Sequence, residues 1–532
     1  MSCPPKPEEI TALQQALADA LGHNDRLTGE LRVMRAERDL LKEQLSRFQR
    51  RLFAAKSEAA IHQKDLFFNE AEAQGGHAQA ALEESQDAPT IEVPAHKRAR
   101  RGRKPLDPAL PRQIVRHELP QGERICPHDG SVLREIGVDS SEQLEIIPQQ
   151  VRVIRHERVK YACPCCDGAI RLAPRPAQII PKGLFTESAL AWIATAKYLD
   201  GLPLYRQAAL LGRFGGTDIS RNTLAASIVK VGQAVQPVIN LLRDELLDSP
   251  VIFGDETEMQ VLKEAGRAAQ SRSYMWVQAT QASGASGTGP PIRLFAYAPS
   301  RSAATARQLY AGIREGAALM SDGYEVYDTI AREHRLVHLG CWAHARRRFH
   351  EALQALPKDK RTPDQLPARL MELIGKLYHV EAQARRDEAG LEELARRRRE
   401  HSKPALAQIQ ALLLANLHAV LPGSLLGKAL HYLSSQWPKL TRFMQEARHG
   451  LDNNTAENAI RPFVVGRKGW LFADTVGGAH ASANLYSLLQ TCQAGGIDGY
   501  RYLKALLIAL PKAHGADDYQ ALLPWRIDLG GA

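Results

Sequence analysis

Two apolar runs that each end in an aspartate, together with a third acid much further along, most constrain how this 532-residue chain can fold. Asp255 closes the run VIFGD, and Asp322 closes the run ALMSD. Glu457 follows Asn453-Asn454 in DNNTAENAIRPF, near the start of a helix-like pattern. The three carboxylates can converge only if the two apolar runs are neighbouring strands of one sheet and the helix packs at their ends.

The region around the two aspartates has an α/β pattern. We predict strands over residues 251–255, 273–280, 292–299, 318–322 and 335–341, and helices over residues 305–313 and 324–334. Three hairpin-like strands, a helix and then a strand ending in Asp match the ribonuclease-H-like order. The first and fourth strands of that fold are neighbours, so Asp255 and Asp322 would meet at one end of the sheet. The long separation before Glu457 requires an insertion, and residues 351–450 have a helical, Leu/Ala/Arg/Glu-rich pattern.

Three converging carboxylates suit phosphodiester chemistry. Two divalent cations about 3.5–4 Å apart can bind the attacking and the leaving oxygen of an in-line displacement. Asp and Glu supply oxygen ligands to Mg²⁺ or Mn²⁺, so Asp255, Asp322 and Glu457 are the predicted catalytic and metal-binding residues. Water would cut a strand, and a freed 3′-hydroxyl could attack a second DNA. Each acid alone is also explained as a strand-end cap or a solvated helix residue, so the prediction depends on their combination.

The N-terminal region, residues 8–56, carries a heptad repeat. With Ile10 at position a, every a and d position except Asn24 and Arg38 is apolar, which predicts a coiled coil and therefore self-association. Asn24 at an a position favours a two-stranded register. A single amphipathic helix packed within its own chain is the alternative interpretation.

A basic segment lies in the predicted linker, residues 57–111. The residues Arg101, Arg103 and Lys104 in RGRKP are similar to the minor-groove hook of DNA-binding tails, in which an extended Arg-Gly-Arg enters a narrow A·T groove. A solvated linker with nonspecific phosphate contacts fits the same residues. Both interpretations predict affinity for nucleic acid, in keeping with the net charge of +10.

A cysteine cluster lies within residues 112–180, where CPCC follows a strand-like run, LEIIPQQVRVIRHERVKY, and CPHDG precedes it. Two such knuckles held by a β-hairpin predict a ribbon-type zinc site. The predicted ligands are Cys126, Asp129, Cys163 and Cys166, with His128 as an alternative. A knuckle that packs without metal is the other interpretation. The seven cysteines, an odd number with one tight cluster, favour a reducing compartment over a disulfide framework.

The region 181–248 is predicted to be helical. YRQAALLGRFGG, TDIS and RNTLAASIVKVG together resemble a helix–turn–helix, with Ser220 as N-cap and Arg221 placed to meet DNA bases. A helical bundle without DNA contact fits equally well. Further basic residues expected at DNA are Arg346, Arg347, Arg461, Arg467 and Lys468. Trp470 is better explained as a core residue than as a base-stacking one.

The segment HLGCWAHARRRF has two interpretations. His338, Cys341 and His344 follow one another at three-residue steps, as metal ligands can. We favour a buried strand position for Cys341 and a basic helix face near DNA formed by His344, Arg346 and Arg347.

The motifs together resemble the insertion-sequence-66-type DDE transposases over nearly the whole chain. They are RRLFAAKSE, YACPCCDG, GDET, SDGY, HLGCWAHARRRF and NNTAENAIRPFVVGRKGWLF. The resemblance implies cut-and-join DNA transposition in bacteria, a divalent metal, Asp255, Asp322 and Glu457 as catalytic triad, and accessory proteins encoded by the same element. Asp129 departs from the family pattern, which places a cysteine there, and this leaves the zinc stoichiometry open.

The expected architecture is a multidomain α/β protein with a ribonuclease-H-like catalytic core. The predicted segments are a coiled coil (8–56), a linker with the hook-like segment (57–111), a zinc-binding-like domain (112–180), a helical region (181–248), a first core segment (249–350), a helical insertion (351–450), a second core segment that carries Glu457 (451–495) and a C-terminal segment (496–532). No apolar run of membrane-spanning length and no secretory signal are visible, so we expect a cytoplasmic protein that is nucleoid-associated when bound to DNA. Its expected DNA partners are the terminal inverted repeats and the target. A hydrolytic nuclease on the same core and a catalytically inactive DNA-binding regulator are the rival functions.

Overall fold

The computed structural model describes residues 7–53, 151–162, 170–174, 176–215, 219–281 and 289–530. The hook-like residues Arg101, Arg103 and Lys104 lie outside these ranges, and so do the predicted zinc ligands Cys126, His128, Asp129, Cys163 and Cys166. Their proposed roles therefore stay predictions.

The heptad region forms one long helix, α1 (Pro7–Phe53). Its predicted a and d residues Leu17, Met34 and Leu41 are 61%, 62% and 64% exposed. Such an exposed apolar stripe is what a coiled coil would cover, since apolar surface is stabilised by removal from water. The helix is thus confirmed, whereas the pairing with a second chain stays a prediction.

A short antiparallel hairpin flanks the second cysteine knuckle. It consists of β1 (Lys160–Ala162) and β2 (Ile170–Leu172), with Tyr161 opposite Arg171. The sequence predicts a strand-like run over residues 144–161, but the described residues before β1 have no regular structure. Within the described part of this run, Val153 is 91% exposed.

Four helices precede the main sheet: α2 (Glu187–Tyr198), α3 (Leu204–Gly215), α4 (Arg221–Ala234) and α5 (Gln236–Leu247). Ser220 caps α4 as predicted, with its hydroxyl accepting the Thr223 N–H at 3.2 Å. Leu224 and Val231 of α4 are buried in the core. Among the described residues no single helix is long and apolar enough to cross a membrane, although α4 and α5, bent by 51° at their junction, meet that test as a pair.

The main sheet has six strands, which are β3 (Val251–Lys263), β4 (Arg272–Ala279), β5 (Arg293–Ala298), β6 (Ala318–Met320), β7 (Val337–Leu339) and β8 (Ala473–Thr475). The strand order is β5-β4-β3-β6-β7, with β8 paired to the far end of β3. β3, β4 and β5 run antiparallel, whereas β6 and β7 run parallel to β3. The predicted adjacency of the first and fourth strands of this region is confirmed, since Phe253 pairs with Met320.

The position of Asp255 differs from the prediction. Asp255 does not end its strand but lies inside β3, which continues to Lys263. The polar stretch after Asp255 stays in the sheet because β4 and β8 pair with it and because Met259 and Val261 are buried on one face. A period-2 strand half-covered by neighbours does not need the continuous apolar run on which the prediction rests.

The remaining helices pack around the sheet and form a second cluster. They are α6 (Ala303–Leu309), α7 (Glu325–Glu333), α8 (Trp342–Ala355), α9 (Leu366–Arg386), α10 (Leu391–Arg397), α11 (Lys403–Asn416), α12 (Leu425–Leu440), α13 (Asn454–Trp470), α14 (Val476–Ala494), α15 (Gly499–Ala509) and α16 (Ala516–Ala521). The sheet, α2–α5, α13 and α14 share one hydrophobic core. α8, α9, α11 and α12 share another, built around Trp342, Ile374 and Leu430. Helices occupy most of residues 351–450, where the sequence predicts a helical insertion, and the first of them, α8, begins earlier, at Trp342.

Candidate active site

The two aspartates lie level with each other, Asp255 within β3 and Asp322 just after the end of the neighbouring strand β6. Phe253 of β3 pairs with Met320 of β6, and Asp255 and Asp322 each follow two residues later. Because parallel neighbours advance together, the two carboxylates reach the same end of the sheet. The sheet therefore brings together two of the three predicted acids.

The third acid is delivered by the first turn of α13. Glu457 lies in that turn, and the preceding Asn453 is fully buried. The Asn453 side-chain amide donates to the Gly254 carbonyl at 2.9 Å. This hydrogen bond fastens the start of α13 to β3, directly beside Asp255, so Glu457 reaches the two aspartates from a helix far along the chain.

The three carboxylates influence one another electrostatically. Burial raises the pKa of Asp255 to about 8, and the nearby charges of Glu256, Asp322 and Glu457 contribute to the rise. The Glu256 N–H, which donates to Asp255 Oδ1 at 2.9 Å, opposes this rise. Like charges gathered in a poorly solvated place are unfavourable unless a cation balances them.

A fourth carboxylate, which the sequence analysis did not single out, belongs to the same cluster. The Glu256 side chain is only 7% exposed, and Oε2 accepts the Tyr327 hydroxyl at 2.7 Å. Arg301 lies 4.0 Å from Oε1, and burial raises the pKa of Glu256. Gly254 permits this packing because a side chain there would collide with the Tyr310 hydroxyl. The adjacent acids of GDET in a buried strand were the available signal.

Asp322 is held by a tight turn after β6. Its Oδ1 accepts the Tyr324 N–H at 2.9 Å, and its carbonyl accepts the Tyr432 hydroxyl of α12 at 3.1 Å. Gly323 has a φ of +95° in this turn, a conformation that favours glycine, and it packs against Gln436. The helical cluster thus supports the Asp322 turn directly.

A chain of polar side chains lies behind the Asp322 turn. Buried His338 pairs its Nε2 with the Ser321 hydroxyl at 2.9 Å and its Nδ1 with Asp328 at 2.8 Å. Lys439 of α12 contacts both carboxylate oxygens of Asp328, at 2.7 and 2.8 Å. Both ring nitrogens of His338 are therefore engaged, which excludes the metal-ligand interpretation of this residue. The chain ties α12 to Ser321, the residue before Asp322.

The other two residues of that candidate metal motif lie beside Glu457. Cys341 does not lie in a strand, contrary to the prediction, but is buried between β7 and α8. His344 Nδ1 lies 3.6 Å from Glu457 Oε1, and Arg347 Nη2 lies 3.6 Å from Glu457 Oε2. Burial lowers the pKa of His344. His344 is therefore part of the acidic cluster, whereas the sequence predicts it on a basic face with Arg346 and Arg347.

The remaining predicted DNA contacts are spread over the surface. Arg221 and Lys468 are exposed, whereas Arg346, Arg461 and Arg467 are half-buried. Trp470 packs edge-on against Phe463 with ring centroids 5.4 Å apart, which confirms the core interpretation. The DNA contacts themselves stay predictions.

Comparisons with protein families account for most of the chain. Residues 182–481 match the family described as "Transposase IS66 family", and residues 487–525 match "IS66 C-terminal element". Residues 123–167 match "zinc-finger binding domain of transposase IS66", and residues 40–115 match "Transposase C of IS166 homeodomain".

Similar proteins occur in Sinorhizobium fredii. Its uncharacterized protein y4qI is 32% identical over 440 residues, covering 81% of this chain and 78% of that protein. Uncharacterized protein y4jD is 30% identical, covering 78% of this chain and 81% of that protein. Uncharacterized protein y4hP is 28% identical, covering 94% of this chain and 87% of that protein. With a family match over more than half of its length, around the acidic cluster, this chain belongs to the IS66 transposase family.

Proposed function

We propose that this transposase cuts and joins DNA with a DDE triad formed by Asp255, Asp322 and Glu457. The observation that carries the proposal is geometric: Asp255 and Asp322 each follow two residues after the paired residues Phe253 and Met320, and the start of the Glu457 helix is hydrogen-bonded to Gly254. The strand order supports a ribonuclease-H-like core, because the central strand β3 has an antiparallel neighbour, β4, on one side and a parallel neighbour, β6, on the other. Membership of the IS66 transposase family also supports the proposal.

The donor set fits hard divalent cations. Carboxylate oxygens are the ligands that Mg²⁺ and Mn²⁺ prefer, and two carboxylates are offered by Asp255 in β3 and by Asp322 just after the adjacent strand β6. Uncompensated negative charge at this point also favours cation binding. When bound, such cations activate the attacking oxygen and stabilise the leaving one. The zinc-finger match over residues 123–167 supports a separate zinc requirement.

The protein's own groups orient the reacting strand. The Asp322 turn and the chain behind it hold one carboxylate, and Asn453 holds the helix that carries another. Arg347, 42% exposed beside Glu457, is placed to contact a DNA phosphate next to the cleavage position. Rigid placement of this kind converts binding energy into correct alignment.

The other partners follow from the same reasoning. We propose that the element's terminal inverted repeats and a target DNA are the substrates, and that α1 pairs two protomers. Accessory proteins encoded by the element would complete the machinery, and the protein would act at the nucleoid. The hydrolytic nuclease differs from this proposal only in lacking strand transfer, and the regulator only in lacking cleavage.

The test is strand cleavage and joining by the full chain with its own element ends and Mg²⁺ or Mn²⁺. We expect Asp255→Ala and Asp322→Asn to lower both activities by roughly 10³-fold or more, because several kcal/mol of transition-state stabilisation are lost. Asp474→Asn is the matched control, since that exposed carboxylate pairs with Lys263 at the far end of β3.

Two outcomes distinguish the transposase from the nuclease, and a third tests the triad. Joined products that disappear in both aspartate variants support the transposase. Cleavage without joining, even with the element's companion proteins added, supports the nuclease. An Asp322→Asn variant as active as wild type would overturn the assignment of the triad.

A further inference from the structure

A mixed set of metal-binding groups lies at the Glu457 side of the cluster. Cys341 Sγ, a ring nitrogen of His344 and a carboxylate oxygen of Glu457 all lie within 4.8 Å of one another. Sulfur, imidazole and carboxylate together are a donor set for zinc-class cations, unlike the all-oxygen pair of Asp255 and Asp322.

Two of these groups lack the partners that buried polar atoms normally have. His344 Nδ1 and Glu457 Oε1 are inaccessible to solvent and neither has a hydrogen-bond partner among the described residues, since the 3.6 Å between them is too long. Leaving such atoms unsatisfied is costly. A cation between them would satisfy both.

The surroundings of Cys341 suit a bound sulfur. The Asn453 N–H points at Sγ from 3.3 Å, and Cys341 occupies the N-cap position of α8. Backbone N–H groups and a helix N-terminus both favour a thiolate, and metal thiolates are commonly hydrogen-bonded in this way. Cation binding would release the thiol proton to solvent as the metal–sulfur bond forms.

We propose that Cys341, His344 and Glu457 form a second, chemically distinct cation site for a zinc-class divalent ion, beside the all-oxygen site of Asp255 and Asp322. The inference deepens the proposed function, on which it rests for the role of Glu457. Three protein ligands are the number found in catalytic zinc sites, which keep a fourth position open. This site would therefore select a different class of metal from the Mg²⁺ or Mn²⁺ site of the triad.

The test is titration of the metal-free full chain with Co²⁺, whose thiolate complexes absorb in the near ultraviolet. We expect Cys341→Ala and His344→Ala each to lose one cobalt equivalent, or to weaken it by about 100-fold or more. Both variants keep the cysteine cluster of residues 123–167, so the difference from wild type isolates this site. Cys492→Ala is the matched control, because Cys492 is also a buried free cysteine.

The outcomes keep the two proposals apart. If wild type, Cys341→Ala and His344→Ala bind the same number of cobalt ions with the same spectrum, the second site does not exist. If circular dichroism shows that Cys341→Ala does not fold, the cobalt titration of His344→Ala decides alone, because His344 is only half-buried. Asp255→Asn is expected to keep the cobalt–sulfur absorption while losing DNA cleavage. An intact cobalt signature in a wild-type protein that never cleaves DNA would count against the triad only.

Discussion

Arg398 and Asp255 are both buried, but their surroundings balance the charge of the one and not of the other. In the helical cluster, Arg398 lies in a π-helical turn between α10 and α11 and is 2% exposed. Its guanidinium forms a two-point ion pair with Glu381 at 2.7 and 2.9 Å. It also donates to the carbonyls of Phe443, Glu446 and His449. In the acidic cluster, Asp255 is surrounded by charges of its own sign.

The difference shows how a buried charged group that belongs to the folded framework can be told from one that marks a functional site. Arg398 has a partner for each donor group, and its carboxylate and carbonyl partners come from several segments of the helical cluster. The charge of Arg398 is therefore compensated in the fold, and removing either member of the pair would leave a buried charge uncompensated. Asp255 is destabilised as it stands, and it becomes favourable only when something positive binds. Strain of this kind, maintained inside a folded domain, is a mark of a binding or catalytic site.

Removing the arginine should have the largest effect on stability. Arg398→Ala leaves the Glu381 carboxylate unpaired and removes a donor from three carbonyls, so we expect the free energy of unfolding to fall by about 3–5 kcal/mol, measured by chemical denaturation. The double variant with Glu381→Leu should recover some of this loss because the unpaired carboxylate is gone. A loss below about 1 kcal/mol would break the contrast, since the arginine would then be dispensable.

Replacing Asp255 should have the opposite effect on the stability of the fold. The folded pKa of Asp255, about 8, lies above its ordinary value, so its contribution to stability is present below about pH 4 and is lost as the pH rises through 8. We therefore expect Asp255→Asn to raise the Tm of the metal-free protein by about 5 °C at pH 8, and hardly at all at pH 4.

The control for this experiment is saturating Mg²⁺ or Mn²⁺. Wild type should then gain stability at pH 8 and the variant should not, because only the carboxylate binds the cation strongly. A variant less stable than wild type in metal-free buffer at pH 8 would mean that Asp255 is satisfied in the fold, and the comparison with Arg398 would fail.

The smallest effect is expected at the surface. Arg307 pairs with Glu333 through contacts of 2.7–3.1 Å, much as Arg398 pairs with Glu381, but its side chain is 51% exposed. We expect Arg307→Ala to change the free energy of unfolding far less than Arg398→Ala does, because solvent screens the exposed pair. Because the ion-pair geometry is similar, a loss equal to that of Arg398→Ala would show that geometry rather than burial sets the cost.

Much of the fold could be predicted from local patterns. The heptads predict α1, the capping hydroxyl of Ser220 predicts the start of α4, and the two apolar runs predict β3 and β6 as neighbours. These features succeed because periodicity and capping are decided within a few residues of each position. The extension of β3 past Asp255 was missed, since it depends on pairing with β4 and with the distant β8.

The members of the acidic cluster divide in the same way. Asp255, Asp322 and Glu457 were recognisable by residue type, local setting and order along the chain. Glu256 and His344 were not placed there, because their burial beside the triad depends on Tyr327 of α7 and on the packing of α8 against the start of α13. Likewise, the spacing in the sequence made His338 a candidate ligand, but in the structure both of its ring nitrogens are hydrogen-bonded to protein side chains.

By itself, the sequence determined which chemistry is available: three acids in ordered local settings, a basic and cysteine-bearing N-terminal half, and a long amphipathic helix. Only the tertiary structure decided which charges share a poorly solvated space and which of them find partners. The physical reason is that residue type and periodicity are local properties. Desolvation and charge–charge interaction depend on distances between elements far apart in the chain, and these are fixed only when the sheet, α8 and α13 pack together.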